Sequence, residues 1–224
     1  MTSPQPAPGK VWRPAILDPQ AIEAESFRII EAELGPHSFT PGQFKLVQRA
    51  IHASADFDFG RNLVFHPKAI DSGVAALRAG CDVVVDVQMI QAGVSVGILN
   101  RLGKGSLICA ISDEDVIRDA KAAGVTRAIM AMRKHARSSP GAVYAIGNAP
   151  TALLELLRLV IEEKTPAPAL VIGVPVGFVS AVESKEALLP APFPFIAARG
   201  RKGGSTVAVS LLNALLRLAD VAKA

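Results

Sequence analysis

Apolar residues recur along this chain with two different periods, and the change of period divides it. Over residues 18–34, Ile22, Ile29, Ile30 and Leu34 mark one face at helical spacing, with Pro19 in the first turn and Gly35-Pro36 as a stop. A second helical pattern runs over residues 40–56 and carries Phe44, Val47 and Ile51 on its apolar stripe. A short helix follows Pro67, reaches Leu77 and is closed by Gly80. Beyond it, short apolar runs read as buried strands at 82–86, 106–111, 142–146, 169–173 and 194–198. Helices separate or follow them: 112–123, opened by a capping box at Ser112-Asp113-Glu114-Asp115, then 126–136, capped by Thr126, then 150–164 and 204–222.

Strands alternating with helices imply crossover connections. The expected fold is α/β, a Rossmann-like, mostly parallel sheet with flanking helices and extra N-terminal helices. Residues 1–18 are proline-rich and aperiodic and read as a flexible leader, leaving 19–224 as a single domain. Half the residues are hydrophobic but only 5% are aromatic, so aliphatic side chains carry the core, as in buried parallel sheets. A net charge of +4, without a run of five basic residues, argues against nucleic acid and suits a small polyanionic ligand. Cys81 and Cys109 have no short spacing, and the four histidines have no ligand spacing, so reduced thiols and no structural metal are expected. The prolines at 166, 168 and 175 break the longest uncharged stretch, so no spanning helix is expected, and the reading is a soluble, cytoplasmic protein.

Candidate chemistry begins on the second helix. Lys45, Arg49, His52 and Asp56 fall on one stripe at 3.6 residues per turn. A proton donor beside a fixed cation suits chemistry on an anionic substrate, although these residues alone favour a solvated charged face that happens to contain a histidine. Ser26 lies beside the apolar face of the first helix; such a hydroxyl usually bonds its own helix, and a ligand-facing group is the alternative. Three loops after strands carry glycine and precede helices: Gly147-Asn148-Ala149-Pro150, Gly173-Val174-Pro175-Val176-Gly177, and Arg199-Gly200-Arg201-Lys202-Gly203-Gly204-Ser205. The first and third are expected to aim free backbone N–H groups, with a helix dipole, at a ligand anion. No G-x-G-x-x-G or Walker pattern occurs, since Lys202 precedes the double glycine, and no G-x-S-x-G elbow is present.

These segments together resemble the precorrin-8X methylmutases of cobalamin biosynthesis. The resemblance is carried by E-S-F at 25–27, R-A-I-H-A-S-A-D at 49–56, T-R at 126–127, A-I-G-N-A-P-T-A-L at 145–153, G-V-P-V-G-F-V at 173–179, E-S-K-E-A-L at 183–188 and R-G-R-K-G-G-S at 199–205. It spans nearly the whole chain beyond the first 18 residues. It implies an isomerase that moves a methyl group from C-11 to C-12 of a contracted tetrapyrrole, as a homodimer and without external cofactor or metal. It makes His52 the catalytic acid/base, puts Ser26 and Arg49 in contact with substrate, and Arg127 close to it. Arginines suit the carboxylate arms of such a substrate, and helix N-termini near Asn148 and Ser205 would add neutral donors. A non-catalytic tetrapyrrole carrier on the same fold is the alternative.

Overall fold

The computed structural model describes residue 11 and residues 13–221; most of the leader expected over 1–18 lies outside the described residues. Six strands form one sheet among these residues, in the order β1-β6-β5-β4-β2-β3. β2 (Val83–Val85), β3 (Leu107–Ile108), β4 (Val143–Ile146), β5 (Leu170–Gly173) and β6 (Phe195–Ala198) are parallel, and β1 (Leu63–Phe65) runs antiparallel to β6 at the edge. The expected parallel α/β sheet is present. β2 has β3 on one side and β4 on the other, so the connection changes direction there and a crevice opens at the carboxyl ends of β2 and β4.

β2, β4, β5 and β6 are buried on both faces, which is why they read as continuous apolar runs. Val83, Val85, Val143, Ala145, Leu170 and Ile172 belong to the core beneath α2 (Pro41–Ser54), α4 (Ala69–Arg78), α5 (Gln88–Gly93), α6 (Val96–Leu102) and α11 (Ser205–Asp220). Val84, Tyr144, Ile146 and Val171 alternate with them into the core beneath α7 (Glu114–Ala123), α8 (Arg127–His135), α9 (Pro150–Ile161) and α10 (Ala181–Leu188). The extra N-terminal helix α1 (Pro19–Leu34) lies on α2; Asp18 caps it by accepting from the Ala21 N–H at 2.8 Å. α3 (Phe59–Asn62) leads from α2 into β1.

Three local expectations fail for stated reasons. The second helix stops at Ser54 rather than reaching Asp56, because Ala55 is left-handed (φ 53°) and Ser54 Oγ turns back to the Ala50 carbonyl while accepting from Asp56 N–H. The capping box at 112–115 does not form: Asp113 is the N-cap residue, but its carboxylate accepts from Lys134 Nζ at 2.7 Å instead. β3 shrinks to two residues because it is the outer strand, paired on β2 alone.

Candidate functional site

The capping box at the start of α2 is complete: Thr40 accepts from Gln43 N–H, and Gln43 returns a carbonyl to Thr40 N–H. The helix it starts buries Leu46, Val47, Ala50 and Ile51, which leaves Lys45, Arg49 and His52 on the opposite side. α1 crosses that side. Phe27 sits at the crossing, with its ring edge-on to His52 at 5.3 Å and the Arg49 guanidinium 4.5 Å above its centroid. His52 is exposed and makes no hydrogen bond among the described residues, so both ring nitrogens are open to a ligand. It lines a cavity of about 240 Å³ with Ser26, Ile29, Ile30, Glu33, Ile51, Ala55 and Phe57. Ser26, which also lines this cavity, donates to the Ile22 carbonyl at 2.8 Å, the ordinary bond of a helical serine, and its oxygen keeps its capacity to accept.

Arg49 is already occupied. Its guanidinium donates to both oxygens of Glu23, at 2.5 and 3.1 Å. The Arg49 hydrogen bond holds the Glu23 carboxyl below the usual carboxylate range against the opposing effect of burial, with Arg49, Arg217 and His52 adding their fields. Arg49 also borders a second cavity, of about 300 Å³, with Lys45, Gln48, Arg217 and an apolar floor of Phe27, Ala214 and Leu218. Asp56 stands apart from this stripe: with Asp58 it pairs with Lys202, at 2.6 and 2.7 Å.

The remaining predicted residues form a second group at the carboxyl edge of the sheet. Arg127 opens α8, and the neighbouring Thr126 caps that helix and shares a 3.1 Å hydrogen bond with Thr151 in the first turn of α9. Asn148 precedes α9, and Ser205 opens α11. The residues just before them are closely packed: a Cβ on Gly147 would lie 2.8 Å from the Gly204 carbonyl. The side chains of Arg127, Asn148 and Ser205 make no hydrogen bond among the described residues. Among the described residues no hydrogen bond or ion pair joins this group to Ser26, Arg49 and His52; the Lys202 clasp on Asp56 and Asp58 ties the loop before α11 to the segment after α2.

One expectation about the loops is overturned. The amides of Gly147, Asn148 and Ala149 are not free for a ligand, because the carboxylate of Asp86 accepts from all three at 2.7–3.1 Å. The third loop is different: among the described residues no side chain caps α11. It is tied to the second loop by Gly204 N–H to the Val174 carbonyl and Gly177 N–H to the Arg201 carbonyl. Beneath it, the buried Lys185 donates to the Lys202 carbonyl at 2.8 Å. On its outer side Phe178 is 84% exposed, with the Arg201 guanidinium 5.3 Å over its ring. No group of three or more His, Cys, Asp or Glu among the described residues could hold a metal ion.

A sequence model of the precorrin-8X methylmutases matches residues 21–218. The chain belongs to the precorrin-8X methylmutase family. Methylmutases are isomerases, so the protein is an enzyme of that class, in cobalamin biosynthesis. The cobalt-precorrin-8 methylmutase of Priestia megaterium is 54% identical over 209 residues, covering 93% of this chain and 92% of the relative. The precorrin-8X methylmutase of Pseudomonas aeruginosa is 40% identical, covering 89% and 96%. Among solved structures, the precorrin-8X methyl mutase of Thermus thermophilus superposes with a TM-score of 0.83 at 41% identity, over 91% of this chain and 97% of that one. In methylmutase terms, sequence reasoning missed three residues that shape the site. Glu23 lies in no motif, and Lys202, although part of the third loop, shows nothing in sequence of its pairing with Asp56 and Asp58, whereas Asp86 carries a signal as an acid ending the apolar run Val83-Val84-Val85.

Proposed function

We propose that this methylmutase moves the C-11 methyl group of precorrin-8X, or of cobalt-precorrin-8, to C-12, giving hydrogenobyrinic acid or its cobalt counterpart, with no external cofactor. The observation that carries the site assignment is His52: an exposed imidazole without a hydrogen bond among the described residues, sharing a cavity with Ser26 one helical turn from Arg49. The C-11–methyl bond breaks as the C-12–methyl bond forms, so the shift needs no nucleophile. It needs the macrocycle held in one geometry and in the right protonation state. His52 donates a proton to the conjugated system, which polarises it toward migration, and recovers a proton once the methyl has moved. Arg49 and Arg127 grip carboxylate arms, and Ser26, Asn148 and Ser205 supply neutral hydrogen bonds.

We further propose a homodimeric, cytoplasmic enzyme whose working unit is the single domain 19–224. The 240 Å³ cavity beside His52 is smaller than the roughly 300–1,000 Å³ of sites that enclose drug-sized ligands, and a tetrapyrrole is larger still, which favours completion of the site by a second copy. Free Cys81 and Cys109 suit a reducing compartment.

The test is the visible spectrum of the protein incubated with precorrin-8X, beside a His52→Ala control. Wild type converts it to the hydrogenobyrinic acid spectrum. The variant loses about 10²- to 10⁴-fold in turnover, the usual worth of a general acid, while still binding. Binding lost with turnover kept would sink the role of His52. A shifted but unconverted spectrum with wild type, on both the metal-free and the cobalt substrate, would instead describe a carrier.

A further inference from the structure

Asp86 follows β2 directly and is completely buried, yet it forms no ion pair among the described residues. Three successive N–H groups hold its carboxylate: Gly147 donates to Oδ1 at 3.1 Å, and Asn148 and Ala149 donate to Oδ2 at 2.9 and 2.7 Å. These groups stand at the positive end of the twelve-residue helix α9. They also lie at the crevice between β2 and β4, where open parallel sheets receive the anionic part of a ligand. In this chain the nest is filled from within. Burial pushes the Asp86 carboxyl up and the three N–H groups pull it back, with burial the stronger.

The loop so held is packed against the start of α11. A Cβ on Gly147 would sit 2.8 Å from both the Gly204 carbonyl and the Ala208 Cβ, and Ala208 N–H donates to that same Gly204 carbonyl at 3.0 Å. Moving the Gly147 loop therefore moves the first turn of α11, and with it Ser205.

We infer that Asp86 is a positioning residue for the methyl shift, an internal anion that sets the Gly147–Ala149 loop and, through it, Asn148 and Ser205. The inference rests on the substrate-binding roles proposed for those two side chains. It has a consequence for substrate recognition. With the α9 dipole already answered by a carboxylate, this end of the site receives an uncharged part of the macrocycle, and the carboxylate arms are left to arginines.

The test compares Asp86→Asn, Asn148→Ala and the double variant by kcat/KM with precorrin-8X, alongside thermal unfolding. Asparagine keeps the shape but must turn an NH2 toward one or two of the N–H donors. Misplacing the loop should cost about 10- to 100-fold. If Asp86 acts through the loop, adding Asp86→Asn to Asn148→Ala costs much less than it does in wild type; losses that simply multiply would make Asp86 structural only and overturn the inference. An Asn148→Ala variant of full activity beside an impaired Asp86→Asn also overturns it, while leaving the methylmutase reading intact. Absence of conversion by wild type would strike that reading itself, and this inference with it. Formate should restore activity to Asp86→Ala by refilling the nest, without speeding wild type, and no restoration counts against it. Should the variants not fold, amide exchange in wild type still decides. Protection of Gly147, Asn148 and Ala149 is expected, and coil-like exchange at all three would overturn the inference.

Discussion

The Glu23–Arg49 pair makes a prediction with an unusual sign. If Arg49 receives a substrate carboxylate, Glu23 is its rival, because it already occupies the fork between the two terminal nitrogens of the guanidinium. Arg49 keeps Glu23 ionised through the neutral range by lowering its pKa, so the competition is present at any ordinary assay pH. The pair is partly open to water, with side chains 22% and 41% exposed, and pairs of that kind are worth about 0.2–1 kcal/mol. Among the described residues of α1, which carries Glu23, Ile30 alone is buried, so little packing resists a local shift. Substituting Glu23→Gln preserves shape and removes the charge. The substrate then no longer displaces a carboxylate, and KM should fall by about 1.4- to 5-fold, the factor equivalent to that energy, with kcat unchanged. Initial rates of precorrin-8X conversion, followed by absorbance at several salt concentrations, read both constants. The gap between variant and wild type should narrow as salt rises. A KM that rises in Glu23→Gln would refute the reasoning, since Glu23 would then be holding Arg49 in its binding posture rather than competing for it.

Burial pushes the Lys185 ammonium down to about 8, whereas an unfolded lysine titrates near 10.4. Between those values the folded chain binds fewer protons, so this group raises stability as pH climbs from about 8, while its full cost is present below. Cys81 and Tyr144, with folded pKa values pushed up to about 11 and 12 by burial, act in the opposite sense, so the difference between wild-type and Lys185→Met unfolding free energies isolates the lysine. That difference should change by up to about 3 kcal/mol from pH 7.5 to 10.5 in urea titrations, and a constant difference would disprove the assignment. Glu155 is buried and accepts from both Arg133 and Arg158; Glu155→Gln should lose about 1–3 kcal/mol, read by urea denaturation at neutral pH, with little effect on kcat. Gly203 has φ 156°, and a Cβ there would fall 2.1 Å from the Val174 carbonyl, so Gly203→Ala should break the Gly204–Val174 link and depress kcat/KM well beyond its effect on the melting temperature.

What could be read from the chain alone follows from how far each signal reaches. Val83-Val84-Val85, Val143 to Ile146 and Leu170 to Ile172 are buried on both faces, so each announces a parallel strand without its neighbours. β1 announces nothing: three residues carry no period, and their partner on β6 lies more than a hundred residues away. The short helices α3, α5, α6 and α10 were missed for the same reason, since four to eight residues hold too few turns to show a stripe. Lys45, Arg49 and His52 were legible as one stripe because helical spacing is local; Asp56 was miscounted into it because a left-handed Ala55 is invisible to periodicity. The partners that decide the state of the site are the non-local ones. Glu23 reaches Arg49 across 26 residues, and Asp86 reaches the Gly147 loop across about 60. A glycine turn before a helix shows that donors exist but not which acceptor meets them, and buried backbone donors are almost always met. The available clue lay at the other end of the bond. A carboxylate that ends a wholly apolar strand cannot be buried unless something on a neighbouring strand's loop receives it, so Asp86 and the Gly147 loop had to be read as one feature rather than as a strand end and a vacant anion site.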